Sequence, residues 1–423
     1  MAAPLVQSLE PARRPGRSLR RPLHVAAMVN GPGEVAAWLY PFAHALRQQQ
    51  PDAVLTAALL PCRFASGREA QVIHGMPDVD HVLRWSESLR WLARGRSPLV
   101  RTPPDVILHF GGEIAISIAL GRRLGVPVVA YQEEALQRPE WLHRVFVRDA
   151  RTANGHESDT VRVIGNLMVD AALLRVPHRA ASPASRPIVA LFPGSRTYFL
   201  QQLLPFFLRV AHSLQSGRPD VRFVLAQSPF VSNDDVRRAV APGGERVVEG
   251  DSGTVHVVAG RCYIRSERGV NVEVLTPEAA MQHARLAITI PGTNTAELAV
   301  LGIPMLLVLP TNRLHAVPLP GLAGHLGQIP IVGPAAKELI AQAIVRRRSY
   351  WAHPNRLANA AIVPEMIGIL TADGIAERLA RILSQPLAPM EQRLRHAMGA
   401  PGASDRLVQE VTAVATEWGR ADA

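Results

Sequence analysis

Four short stretches of this chain carry side chains equipped for chemistry. In the first, Pro291-Gly292-Thr293-Asn294-Thr295 is followed by Glu297. Gly292 admits a ligand close to the backbone, Thr293 and Thr295 bring hydroxyls, and a helix start offers N–H groups to an anion. Glu297 can accept hydrogen bonds from the two hydroxyls of a ribose. Asn294 and Glu297 also stand at the capping-box spacing, which requires no ligand at all. Pro193-Gly194-Ser195-Arg196 is a second anion-type turn. Gly194 opens the backbone, Ser195 can donate to a phosphate oxygen, and Arg196 supplies a planar fork. The other two stretches offer proton acceptors. Asn30-Gly31-Pro32-Gly33 leads into Glu34, and His109-Phe110-Gly111-Gly112 leads into Glu113. Glu113, Glu34 or His109 can serve as general base toward a hydroxyl. A tight turn, a helix-start carboxylate and a histidine packed under a sheet edge account for the same residues without chemistry.

Such turns must be held by something, and the surrounding pattern says what. Short apolar runs such as HVAAMV (24–29), DVILHF (105–110) and VRVIG (161–165) alternate with helical stretches. Strand, helix, strand in repetition predicts a parallel sheet covered by helices on both faces. The pattern stops at PHRAASPASRP (177–187) and restarts with IVALFPG, so the chain divides. We expect an α/β protein with two doubly wound Rossmann-like domains: 23–176 and 188–385, joined by a linker over 177–187. A basic disordered arm precedes them over 1–22, and a helical tail follows over 386–423, with Leu407, Val411, Val414 and Ala415 on one face. In open parallel sheets ligands bind beyond the carboxyl ends of the strands, where all four turns fall.

The bulk composition agrees. A chain of 423 residues, 48% hydrophobic and 19% charged, is long and apolar enough for two cores. Net charge is +11, and Lys337 is the only lysine, so the positive charge is nearly all arginine, a residue suited to phosphates. Cys62 and Cys262 give neither a disulfide framework nor metal-ligand spacing, so a reducing compartment is expected, with no metal and no cofactor. The arm has arginines but no apolar stretch behind them, unlike a secretory signal. The oily segment 298–310 is short and broken by Gly302 and Pro304, so any membrane contact is expected at the surface. Arginine and tryptophan alternate over 84–96 and 346–351, a mixture that suits an anionic bilayer surface and equally a solvated basic face.

Several segments together resemble the lipid-A-disaccharide synthase family of inverting glycosyltransferases. LFPGSR (191–196) with its following helix is similar to that family's Pro-Gly-Ser-Arg turn, and PGTNTAELAVLGIPMLLV (291–308) to its Gly-Thr-x-Thr-x-Glu donor loop. PNRLANAAIVPEMI (354–367), VIGNLMVDAAL (163–173) and GASDRLVQEV (402–411) follow the family pattern in order. The resemblance implies a GT-B fold. It implies a UDP-sugar donor held by Gly194, Ser195, Arg196, Gly292, Thr293, Asn294, Thr295 and Glu297, with Asn355 near the donor and Glu365 supporting it. It implies a glycolipid acceptor, with inversion and release of UDP. The N-terminal half departs: Asn30-Gly31-Pro32-Gly33-Glu34, Glu113 and Gln132-Glu133-Glu134 replace the family's own motifs. A UDP-sugar epimerase of the same fold and an inactive sugar-nucleotide-binding protein therefore stand beside the transferase. The expected location is the cytoplasm or the inner face of the cytoplasmic membrane. Nucleic acid is not an expected partner, and the sequence does not give an oligomeric state.

Overall fold

The computed structural model describes residues 21–62, 65–156, 158–179, 185–243, 248–312 and 349–421. The expected arm over 1–22, all but its last two residues, lies outside them, as do 180–184 of the linker and Arg346–Arg348.

The first domain is built on seven parallel strands: β1 (His24–Val29), β2 (Val54–Leu59), β3 (His81–Leu83), β4 (Val106–His109), β5 (Val128–Gln132), β6 (Arg144–Val147) and β7 (Val161–Val163). Their order across the sheet is β3-β2-β1-β4-β5-β6-β7. Every residue of β1 is buried, as a parallel strand covered on both faces must be. The second sheet comprises β8 (Ile188–Phe192), β9 (Arg222–Ala226), β10 (Gly253–Val258), β11 (Arg261–Ser266), β12 (Asn271–Leu275), β13 (Leu286–Thr289), β14 (Met305–Pro310) and β15 (Glu365–Gly368). Its order is β10-β11-β12-β9-β8-β13-β14-β15, with β10 through β12 antiparallel and the remainder parallel. Two Rossmann-like domains are thus present. In each sheet the winding reverses once, between β1 and β4 and between β8 and β13. Those are the switch points, and the four turns singled out in the sequence leave the carboxyl ends of these four strands.

The hairpin β10–β11 is not apparent from the apolar runs. Its signal is the alternation in Thr254-Val255-His256-Val257 closed by Ala259-Gly260, both at positive φ (50° and 76°). That is the chemistry of a two-residue hairpin turn.

The expected single tail is two helices with different allegiances. Helix Ala388–Met398 sets Leu394 and Met398 into the core of the second domain. Helix Ala403–Ala421 crosses back and sets Leu407, Val408, Val411, Val414 and Ala415 into the core of the first. Its start is fixed by Asp170, which accepts from the N–H groups of Gly402 (2.7 Å) and Ser404 (2.6 Å). Arg144 and Arg162 then pair with Glu410 along its length. The two domains also share core residues. Ala37 of the first packs with Met168, Ala296 and Leu298, and Phe230 of the second packs with the first domain's cluster. No described helix is long and apolar enough to cross a membrane.

Candidate functional site

The strand ends of β1 on one domain and of β8 and β13 on the other face one another across a cavity of about 320 Å³. Its first-domain wall is the turn after β1. Pro32 opens a short helix, Pro32–Glu34, that runs directly into a π-helical turn, Val35–Leu39. Such wide turns redirect side chains and carbonyls and recur at functional sites. Space here is tight enough to require glycine. A Cβ at Gly111 would lie 2.7 Å from Glu34 Cγ, and one at Gly33 would lie 3.3 Å from Thr293 Cγ2 of the opposite domain. The Gly33 backbone therefore packs against the Thr293 side chain of the other domain beside the cavity.

Of the three base candidates, Glu34 lines this cavity. Burial raises its carboxyl above the ordinary range, and Arg196 opposes the rise from across the cleft. His109, the last residue of β4, is buried; its Nδ1 lies 2.8 Å from Ser117 Oγ, and burial holds its pKa down to about 4. Glu113 is exposed at the start of helix Ile114–Leu124. Neither lines the cavity.

The second-domain wall comes from the turns after β8 and β13. Gly194, Ser195, Arg196, Gly292, Thr293, Asn294 and Glu297 all line the cavity, joined by Phe192, Phe199 and Phe230 as apolar walls. Two expected donor contacts fall elsewhere. Thr295 is fully buried; its hydroxyl donates to the Gly292 carbonyl at 2.8 Å and accepts from the His353 N–H at 3.1 Å. Asn355 is fully buried as well. Its amide donates to the Val363 carbonyl and to Glu365 Oε1, and its carbonyl oxygen accepts from the N–H groups of Ile362 and Val363. All its bonding capacity is used on its own loop, so it braces the wall from behind. Nor does the capping box form. Asn294 donates to Thr289 Oγ1, and the helix Asn294–Val300 has no side-chain cap.

Glu297 is committed differently again. It pairs with Arg175, Nη1 to Oε1 at 2.5 Å, a residue no sequence motif marks. Burial raises the Glu297 carboxyl, and Arg175 is the main force opposing the rise.

A second group of charges crosses between the domains. Glu134, at the end of β5, pairs with Arg356 of helix His353–Ala358. Its neighbour Glu133 is buried 3.7 Å from Arg148 and is pushed up to about 7, chiefly by burial. His353, bonded through Thr295 to the turn after β13, is held down to about 4 by burial. Among the described residues no group of three or more His, Cys, Asp or Glu side chains is placed to hold a metal ion.

Two Rossmann-like domains with their strand ends on one cleft constitute the GT-B fold. Solved structures agree: Staphylococcus aureus MnaA with UDP aligns at TM-score 0.55 and 13% identity, covering 92% of this chain and 96% of that one. UDP-GlcNAc 2-epimerase of Neisseria meningitidis, bound to UDP-GlcNAc, aligns at TM-score 0.55 and 13% identity over 92% and 100%. In sequence the chain is similar to lipid-A-disaccharide synthases. That of Anaeromyxobacter dehalogenans (strain 2CP-1) is 26% identical over 373 residues, 82% of each chain. That of Geobacter sulfurreducens is 26% identical over 228 residues, and the match spans about half of it, 47% against 52% of this chain. No protein-family model matches.

The raised Glu133 gives a pH-dependent prediction. Its folded form holds a proton up to about pH 7 where the unfolded chain releases it near the ordinary value of 4.5. Between those values the folded state binds more protons, so this residue's contribution to stability falls as pH rises and levels off above 7. Glu133→Gln should therefore match the parent near pH 4.5 and exceed it by roughly 1–3 kcal/mol at pH 8 in urea unfolding. Equal stability of the two proteins at pH 8 would show that Glu133 ionises without penalty.

Proposed function

We propose that the protein is an inverting glycosyltransferase that moves a sugar from a UDP-sugar to a glycolipid hydroxyl. The observation that carries this reading is one cavity with a raised carboxylate on one domain and an arginine–serine–threonine cradle on the other. Ser195, Arg196 and Thr293 hold the diphosphate, while Glu297 accepts from the ribose hydroxyls. Glu34 takes the proton from the acceptor hydroxyl. The oxygen attacks the anomeric carbon on the face away from the diphosphate, and UDP leaves with the electrons of the broken bond. Arg196 then faces growing charge on the leaving group, where electrostatic stabilisation counts most. The similarity to lipid-A-disaccharide synthases supports an acylated sugar as donor and a cytoplasmic setting, peripheral to the membrane.

The membrane side of the reading rests on helix Trp85–Arg94. Arg84, Arg90, Arg94 and Arg96 are exposed, as are Trp85 (56%) and Leu99 (46%). Trp91 is not available for anchoring, since it is buried in the core at 2% exposure. A cluster of arginines with one outward tryptophan suits an anionic headgroup layer, at about 1 kcal/mol per arginine. The second arginine–tryptophan stretch offers less. Trp351 is half-buried, and its backbone N–H donates to Glu365.

A second reading, a UDP-sugar epimerase, is favoured by the three carboxylates Glu34, Glu278 and Glu297 that line the same cavity. One assay separates these. The protein is incubated with a panel of UDP-sugars and membrane lipid extract, and mass spectrometry scores UDP and new glycolipids. We expect UDP release that depends on lipid. Glu34→Gln should cut turnover by about a hundredfold or more while Glu113→Gln does not. Epimerised or free sugar without lipid would favour the epimerase, and UDP binding without any turnover would favour an inactive sugar-nucleotide binder.

For the membrane, sedimentation with anionic vesicles should be strong at low salt and weak at high salt, because surface charge is screened. Replacing Arg90, Arg94 and Arg96 together by Gln should lower it without changing UDP affinity. Absence of sedimentation at every salt concentration would count against a lipid acceptor.

A further inference from the structure

Arg175 stands where four segments converge. It ends helix Leu167–Arg175, the last helix before the second domain, and its side chain reaches into the cavity wall. Nη1 donates to Glu297 Oε1 at 2.5 Å, and Nη2 donates to the Ala36 carbonyl at 2.7 Å. Nε lies 3.9 Å from Glu278, and the guanidinium sits over the Tyr40 ring at 4.9 Å. One planar group therefore holds a carboxylate of the second domain and a backbone carbonyl of the first. The carbonyl belongs to the π-helical turn Val35–Leu39, directly after Glu34.

Each contact has a separate consequence. Glu297 is 6% exposed, and an isolated carboxylate there would favour its neutral form. A guanidinium against Oε1 opposes that shift and fixes the carboxyl plane, which leaves Oε2 for a ligand hydroxyl. The Ala36 contact transmits in the other direction. A ligand that pulls on Glu297 pulls on Arg175, and through it on the turn that carries Glu34. Lysine cannot do both, since its ammonium lacks the parallel donors of the fork.

From this geometry we infer that Arg175 is a positioning residue: it holds Glu297 ready for a ribose diol and couples nucleotide binding to the turn bearing Glu34. The inference rests on the reading of the cleft as a UDP site.

The test compares the parent, Arg175→Met and Arg175→Lys. UDP affinity is measured by calorimetry across about pH 6 to 9, and hydrogen exchange of residues 34–40 is measured with and without UDP. Thermal unfolding checks that each variant is folded. R175M should bind UDP about tenfold or more weakly at neutral pH, and part of the loss should recover as pH rises, because Glu297 without its cation ionises later. R175K restores the charge, so its affinity should lie within about threefold of the parent. UDP should slow exchange at 34–40 in the parent but not in R175K. A purely structural role would lower the unfolding temperature and leave the pH profile and the exchange pattern as in the parent. Parent-like affinity in folded R175M at every pH would overturn the inference alone. So would parent-like protection of 34–40 in R175K. A parent that binds no UDP would overturn the nucleotide reading, and this inference with it.

Discussion

The structure turns on one constraint: two separately wound sheets must present their strand-end turns to each other in direct contact. Gly33 and Thr293 meet with no more than a methyl group's space between them. Everything around that contact serves to hold it. The last described helix packs on the first domain, and Asp170 fixes it by accepting from the N–H groups of Gly402 and Ser404. Apolar residues of each domain also enter the other's core, as Ala37 and Phe230 do. With the domains held, the turn after β1 and the turns after β8 and β13 enclose one cavity.

That arrangement has an electrostatic cost. Glu34, Glu133 and Glu297 are all raised by burial, and each is opposed by an arginine: Arg196, Arg148 and Arg175 in turn. Buried ion pairs seldom add net stability, because desolvation offsets the attraction. Carboxylates with raised pKa values in a cleft are, on the other hand, the means by which proteins prepare bases near neutral pH. Of the three, Glu34 and Glu297 line the cavity, and only Glu297 and Glu133 have their arginine within ion-pair distance.

The positions of the four turns were legible in the sequence because glycine, proline and apolar runs mark strand ends irrespective of tertiary detail. The two-domain division was legible for the same reason. Which side chain of a turn enters the cleft was not. Thr293 and Thr295 look alike in sequence, yet the helical rotation between them sends Thr295 inward to the Gly292 carbonyl and His353. Asn355 has the composition of a ligand-binding residue and spends its bonds on Ile362, Val363 and Glu365. Glu34 and Glu113 each follow a glycine-rich turn, yet Glu34 lines the cavity and Glu113 does not. Trp85 and Trp91 both read as anchors, although six residues of helix turn one out and the other into the core. Arg175 had no local signature, because its partners Ala36, Glu278 and Glu297 come together only once both domains are folded.

On the proposed reading, the cleft holds a nucleoside diphosphate through the turn after β8 and the turn after β13. Calorimetric titration of uridine and of UDP into the parent and into Arg196→Gln tests it most directly. UDP should bind the parent one to one, about a hundredfold or more tighter than uridine, since charge-assisted bonds to the diphosphate contribute about 1.5–3 kcal/mol each. Arg196→Gln should lose about tenfold or more of UDP affinity and leave uridine unchanged. Equal affinity for uridine and UDP in the parent, or UDP binding untouched by the variant, would contradict that reading.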